Sequence, residues 1–144
     1  MLLDRQEMLD INRALAAAAT TVSTDKYDTG MVSSKFGAGK AIGIGIFVSV
    51  AADFTTTDET YTFALCSDAD SALGSPTVHE SRPILAAALT AGSKHFLALD
   101  PSHDVERYVG LRHILAGTSP SITFSSALMT YEQFAAWKAY PNNY

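Results

Sequence analysis

The sequence predicts an all-β protein: an antiparallel β-sandwich of jelly-roll type, with an extended or partly helical N-terminal arm and a short C-terminal helix or tail. Large apolar residues alternate with small or polar ones in six or seven segments, separated by ten to twenty residues. No segment has a helical pattern long enough to cross over between parallel strands. A hydrophobic content of 47% and a charged content of 17% exclude a largely disordered chain.

The first quarter of the chain, residues 1–39, predicts an arm and a loop that precede the sandwich. Leu2–Thr21 has residues of high helix propensity but no continuous apolar stripe, so a helical turn followed by an extended arm is expected. Its apolar residues favour contact with another chain, where an extended segment adds to a sheet edge or lies in a groove. The candidate interface residues here are Leu9, Ile11, Leu15 and Val22.

The sandwich is predicted over residues 40–131. Ile42 to Val50 alternates β-branched residues with Gly43, Gly45 and other residues, which predicts a strand whose second face is closely approached. Thr60–Cys66 predicts the next strand, antiparallel to the first if a hairpin joins them.

Four further segments complete the predicted sandwich. They are Val78–Leu89 (broken at Pro83), Lys94–Leu99, Arg107–Leu115 and a last strand from Ile122 to Leu128. Residues 132–144 form the tail, in which Glu132–Tyr140 predicts a short helix. The expected core residues are Ile44, Ile46, Phe63, Leu97, Leu111 and Phe124.

The net charge and the lengths of the apolar stretches argue against nucleic-acid and membrane partners. The net charge of −5 gives no bulk attraction to phosphate backbones, so direct nucleic-acid binding is not expected. The longest apolar stretch, Ala41–Ala52, is too short to span a bilayer as a helix, so no membrane partner is expected. The acidic first residues do not match a secretory leader, which leads us to expect a soluble protein made in a cytoplasm.

The sequence contains no recognisable set of catalytic or cofactor-binding residues. Cys66 is the single cysteine, which excludes an intramolecular disulfide and a cysteine-based zinc site. Gly37 to Lys40 resembles a phosphate loop, but Ala41 follows the lysine and a strand follows the loop, whereas the motif needs a hydroxyl residue and a helix. Asp68 and Asp70 lie in a predicted turn, where weak cation binding stays open.

The histidines are His79, His95, His103 and His113, and none is spaced to share a metal with another from one element. His95 and His113 could meet across neighbouring strands. A small sandwich hydrolase would need one of these two beside a carboxylate in a pocket. We therefore predict that the protein is not an enzyme and uses no cofactor and no metal.

Aromatic residues gather at the C-terminal end: Tyr131, Phe134, Trp137 and Tyr140. Two interpretations carry equal weight. The rings cap the open end of the sandwich, or they form an interface, where Trp and Tyr are enriched.

The order of several short motifs resembles a known family. Leu89-Thr-Ala-Gly precedes a strand, Arg107-Tyr108 opens a later strand that contains Leu111, and Gly117-Thr118 begins the following turn. From about Asp10 to Met129 the chain resembles the jelly-roll capsid cement (decoration) proteins of short-tailed bacteriophages.

The resemblance implies a role in the virion. Such proteins lie on the outside of the icosahedral capsid, bridge neighbouring major capsid protein subunits, act as homo-oligomers and catalyse nothing. A homodimer is favoured here and a homotrimer is the next choice, because a weakly charged surface with an aromatic end suits symmetric association. The alternative from another class is a carbohydrate- or receptor-binding head of a phage tail fibre, which has the same all-β pattern.

Overall fold

The computed structural model describes residues 7–34, 42–100 and 104–136, which form two antiparallel β-sheets packed face to face. Nine strands, one 3-10 helix (Ala86–Ala88) and one α-helix, α1 (Tyr131–Ala136), are described. The strands are β1 (Met8–Leu15), β2 (Ala19–Val22), β3 (Tyr27–Ser34), β4 (Ile42–Val50), β5 (Thr60–Asp68), β6 (Thr77–Ile84), β7 (Lys94–Ala98), β8 (Val105–Ala116) and β9 (Ile122–Thr130).

The strand order defines a jelly roll. Sheet A has the order β1-β9-β4-β7, and sheet B has the order β2-β8-β5-β6, with β3 also paired to β8. The chain passes from one sheet to the other at six connections, so that two sheets of interleaved strands enclose one core. The predicted fold class is confirmed. The connection between β4 and β5 is not a hairpin, because the two strands belong to different sheets.

The prediction of an N-terminal arm and loop that precede the sandwich is wrong for residues 7–34. β1 pairs with β9, and β2 and β3 pair with β8, so this part of the chain is built into the sandwich. The apolar pattern of β1 looks irregular because its register shifts between Met8 and Asp10 and again between Asp10 and Arg13. Each shift changes which residues face inward, so the alternation of apolar and polar residues that identifies a strand in the sequence is interrupted.

The core between the sheets contains all six residues expected there. Ile44, Ile46, Phe63, Leu97, Leu111 and Phe124 are each fully buried. The rings of Phe63 and Phe124 meet edge to face with centroids 5.4 Å apart, which joins sheet B to sheet A.

The predicted C-terminal helix is present as α1, over a shorter range within the described residues. Thr130 Oγ1 accepts from the backbone N–H of Gln133 (3.2 Å), and Gln133 Oε1 accepts from the N–H of Thr130 (3.0 Å). This reciprocal pair is a capping box, which fixes where the helix begins. At the other end, the Lys94 ammonium donates to the carbonyls of Phe134 and Ala135. No helix among the described residues has the length and apolar character needed to cross a membrane.

Candidate functional site

A second apolar cluster lies on the side of sheet A that faces away from the core. We call this surface outer face A. Its apolar members come from all four strands of sheet A and from α1: Met8, Ile11, Phe47, Phe96, Ala127, Met129 and Phe134. The outward side of a sandwich sheet is ordinarily polar, so this composition marks outer face A as a candidate interaction surface.

The alternation in β4 explains how this surface is built. Ile44, Ile46 and Val48 point into the core, which leaves Gly45 and Phe47 on the outer side. A Cβ atom on Gly45 would lie 2.8 Å from Met129 Sδ and 3.1 Å from a ring carbon of Phe134. The space that the glycine leaves empty is therefore filled by these two side chains. The expected close approach to the second face of this strand is confirmed.

Three aromatic rings meet at outer face A. The ring centroid of Phe96 lies 5.4 Å from that of Tyr131 and 5.1 Å from that of Phe134, and Tyr131 and Phe134 are 5.9 Å apart. Tyr131 is 53% exposed, so one ring of the group is presented to solvent on the support of the other two. We call this group the aromatic cluster.

Lys94 carries a positive charge next to the aromatic cluster. Lys94 lies over the Phe134 ring, 5.1 Å from its centroid, and its ammonium also binds the last carbonyls of α1. These contacts hold the helix against the sheet, and they keep the charge engaged with the protein itself. The strands of sheet A otherwise contain only two acidic or basic residues, Asp10 and Arg13, which bind each other at 3.2 Å.

The strands of sheet B have a different composition. Seven acidic or basic residues lie in them: Asp28, Asp68, Glu80, Arg82, Glu106, Arg107 and Arg112. Arg107 binds Asp28 through two hydrogen bonds of 2.9 and 3.0 Å, both side chains being about half exposed, and this pair holds the pKa of Asp28 below its usual value. The outward side of sheet B is thus charged, in contrast to outer face A.

The structure separates the residues that the sequence proposed for an interface. It brings Tyr131 and Phe134 together in the aromatic cluster and places Ile11 at the same surface. Leu9 is fully buried in the core of its own chain, so its assignment to an interface is wrong. Leu15 is half-buried against that core, and Val22 lies half-buried in β2. Trp137 and Tyr140 lie outside the described residues, as does the phosphate-loop-like segment.

The main polar feature of the interior is one that the sequence did not indicate. Asp10 Oδ2 accepts from Ser126 Oγ (2.9 Å) and lies 3.0 Å from His113 Nε2, while its other oxygen accepts from the backbone N–H of Thr24 (3.1 Å). Burial alone would raise the pKa of Asp10, but the contacts with His113, Thr24 and Ser126 outweigh it and lower the pKa to about 2. The carboxylate is ionised and links β1 to both sheets.

Thr21, His113 and Asp10 contact one another as the members of a hydrolytic triad do, but the imidazole is not accessible to a substrate. Thr21 Oγ1 lies 2.9 Å from His113 Nδ1, and the imidazole in turn contacts Asp10. The side chains of Asp10 and His113 have no exposed surface, so a substrate could not reach the imidazole in this conformation. His95 and His113 do not meet across neighbouring strands, because β7 and β8 belong to different sheets.

The acidic turn after β5 is held by its own backbone. The two oxygens of Asp68 accept from the N–H groups of Asp70 (3.1 Å) and Ser75 (2.9 Å), which lowers the pKa of this carboxyl. Among the described residues, no three His, Cys, Asp or Glu side chains converge as a metal site requires. The Cys66 thiol is buried, which raises its pKa to about 11 and makes it a poor nucleophile.

Together, the fold and outer face A define a jelly-roll sandwich with one charged and one apolar outer side. A family model named Bbp16 matches residues 11–128, which is most of the chain. The chain belongs to the Bbp16 family, a phage-related family of structural type. No curated protein matches the chain.

Proposed function

We propose that this protein is a non-enzymatic virion protein that binds the outside of a phage capsid and cements contacts between major capsid protein subunits. The observation that carries the proposal is outer face A, an apolar surface with an exposed aromatic ring on the outward side of a sheet. Membership in a phage-related family supports a place in the virion. Production in the host cytoplasm and assembly onto the finished shell are part of the proposal.

The edges of the sheets are less suited to partner binding than this face. On one side of the sandwich, Arg82 of β6 donates to the carbonyl of Phe96 in β7 (2.8 Å). On the other side, Arg13 of β1 donates to the carbonyl of Val22 in β2 (2.7 Å). Each arginine joins an edge strand of one sheet to an edge strand of the other, and such charged coverage disfavours addition of a further strand. Outer face A is therefore the contact surface that we assign to the capsid protein.

The chemistry of outer face A also fits a lasting contact with protein. Aromatic and methionine side chains are enriched at the centres of protein interfaces, and charged residues are depleted there. Tyr131 and the half-buried Phe96 supply aromatic side chains, Met129 is buried within the cluster that supports them, and Lys94 is engaged by α1. A contact of this kind depends little on ionic strength, which suits a protein that must hold a shell closed.

The same proposal includes a homo-oligomer, with a dimer favoured over a trimer, and no cofactor, nucleic acid or membrane partner. Light scattering at micromolar concentration should give a mass above the 15.4 kDa of one chain. A single-chain mass at every concentration would remove the oligomer from the proposal and leave the capsid contact standing.

One observation favours the alternative, a carbohydrate- or receptor-binding head of a tail fibre. The exposed Tyr131 ring, supported by Phe96, is the kind of flat aromatic surface on which a sugar ring packs. Cryo-electron microscopy of the source particle separates the two functions. A cement protein occupies hundreds of positions on the outer shell with outer face A against the capsid protein, whereas a fibre head is present in a few copies at the tail.

A further inference from the structure

Residues 7–26 supply an edge strand to each sheet from one continuous piece of chain. β1 pairs with β9 in sheet A, and β2 pairs with β8 in sheet B. We call residues 7–26 the edge segment. At its end, the N–H of Asp25 donates to the carbonyl of Leu9 (2.9 Å), so the segment closes on itself as well as on the sandwich.

Little of the edge segment is held by apolar burial. Its fully buried residues are Met8, Leu9, Asp10 and Ser23, and two of these four are polar. Residues 16–20 are exposed, and β2 has no buried side chain. Asn12 has a φ of 46°, in the left-handed region that costs energy for most residues. Segments with few buried apolar contacts open locally at a lower free energy than the core does.

The polar contacts of Asp10 compensate for this weak apolar hold. Its carboxylate binds Ser126 of β9, His113 of β8 and the backbone of Thr24, so one side chain joins the edge segment to both sheets and to itself. Two described charged or titratable groups face it: Arg13 from its own strand at 3.2 Å and His113 from β8. The rings of Phe63 and Phe124 pack around His113 on the core side.

We infer that Asp10 is a latch for the edge segment, which opens as a unit while the rest of the sandwich stays folded. Opening uncovers the backbone edges of β8 and β9, which the segment pairs with when closed. Because protonation removes the charge that strengthens the contacts of Asp10 with His113 and Arg13, acid weakens the latch and releases it. The lowered pKa of Asp10 places that release between about pH 4, where an unfolded aspartate titrates, and about pH 2.

Hydrogen–deuterium exchange of the full chain, read by mass spectrometry, tests this inference. Asp10→Asn keeps the shape of the side chain but removes the charge. In wild-type protein we expect the amides of residues 8–22 to exchange faster than those of β4 and β5, and in Asp10→Asn to exchange about tenfold faster again or more at neutral pH. Asp28→Asn is the matched control, because it removes an aspartate that is paired with arginine at the surface. It should leave residues 8–22 unaffected.

Two results would overturn the latch. One is exchange of residues 8–22 in wild-type protein that is as slow as exchange of β4 and β5, which would mean that the sandwich opens as a whole. The other is unchanged exchange in residues 8–22. If Asp10→Asn does not fold, two other variants replace it. Thr24→Ala and Ser126→Ala each remove one side-chain contact of the carboxylate, and the exchange of residues 8–22 is compared with wild type in the same way. In wild-type protein, exchange corrected for its intrinsic pH dependence should rise first in residues 8–22 on acidification.

Discussion

The two outward sides of the sandwich follow the same strand geometry but differ in chemistry. On the side of sheet A, Lys94 lies beside the aromatic cluster, and its ammonium is bound to the end of α1. Sheet B contains seven acidic or basic residues, among them the surface pair of Arg107 and Asp28. Both sheets contribute fully buried residues to the shared core, such as Phe124 from sheet A and Phe63 from sheet B, so the difference lies in their outward sides. We therefore propose that outer face A is the side that contacts another molecule, whereas the charged side faces water.

The largest expected effect tests whether the two faces have been assigned the right way round. Phe124 points from sheet A into the shared core, so Phe124→Ala should lower the free energy of unfolding by about 3–5 kcal/mol. Phe54→Ala is the control, since that ring is about half exposed in a loop and should cost far less. Urea denaturation gives both values. A loss below roughly 1 kcal/mol for Phe124→Ala would mean that β9 faces the other way.

A smaller effect on the free energy of unfolding should come from the buried carboxylate of Asp10, which belongs to neither outer face. Asp10 has a pKa of about 2 in the folded protein against an ordinary value of 3.8. A lowered pKa stabilises the fold above the unfolded value, and the benefit is lost as the pH falls through the folded value. Its size is about 2 kcal/mol by linkage.

Asp28, Asp58 and Asp68 also have lowered pKa values, so acid sensitivity is shared among several groups. The difference between wild type and Asp10→Asn isolates the contribution of Asp10. Urea denaturation at pH 7, 4 and 2.5 should show the gap between the two proteins narrowing as the pH falls. A gap that stays constant would contradict the assigned ionisation of Asp10.

Gly45 tests how outer face A is packed. In Gly45→Ala the added methyl group would press on Met129 and Phe134, and we expect a loss of about 1 kcal/mol together with displacement of α1. Gly74→Ala adds the same group in open space and serves as the control. NMR chemical shifts of α1 residues should change in the first variant only. If α1 is undisturbed in Gly45→Ala, the close approach of the helix to β4 is wrong.

The smallest expected effect lies on the charged side. Arg107→Met removes a solvent-exposed pair with Asp28, and exposed pairs contribute little to stability. The urea midpoint should stay within experimental error of wild type, and capsid binding should be unchanged. A clear loss of capsid binding in this variant would move the contact surface to sheet B.

The sequence was sufficient for the fold class because β4, β5 and β9 alternate regularly. The burial of Ile44, Phe63 and Phe124 follows directly from that period of two. The strand character of β1 could not be read in the same way, since two register shifts interrupt the alternation. A bulge depends on the partner strand, which lies more than a hundred residues further along the chain.

The functional features were predictable to different degrees. The sequence indicated the aromatic residues of α1 and the close approach to Gly45. It could not indicate that Phe134 of α1 packs against Gly45, because that contact depends on the fold placing α1 on sheet A. The contact between Asp10 and His113 spans 103 residues and had no local pattern, because neither residue is spaced from another titratable group as a motif requires.

Binding of purified variants to capsids that lack this protein is the most direct test of the central claim. Tyr131→Asp places a charge on outer face A, and Val78→Asp places the same charge at a similarly exposed apolar position in sheet B. The account predicts that Tyr131→Asp binds at least about tenfold more weakly, as expected for an aromatic contact residue, and that Val78→Asp binds like wild type. Equal binding by both variants, or a loss confined to Val78→Asp, would contradict the assignment of outer face A to the capsid.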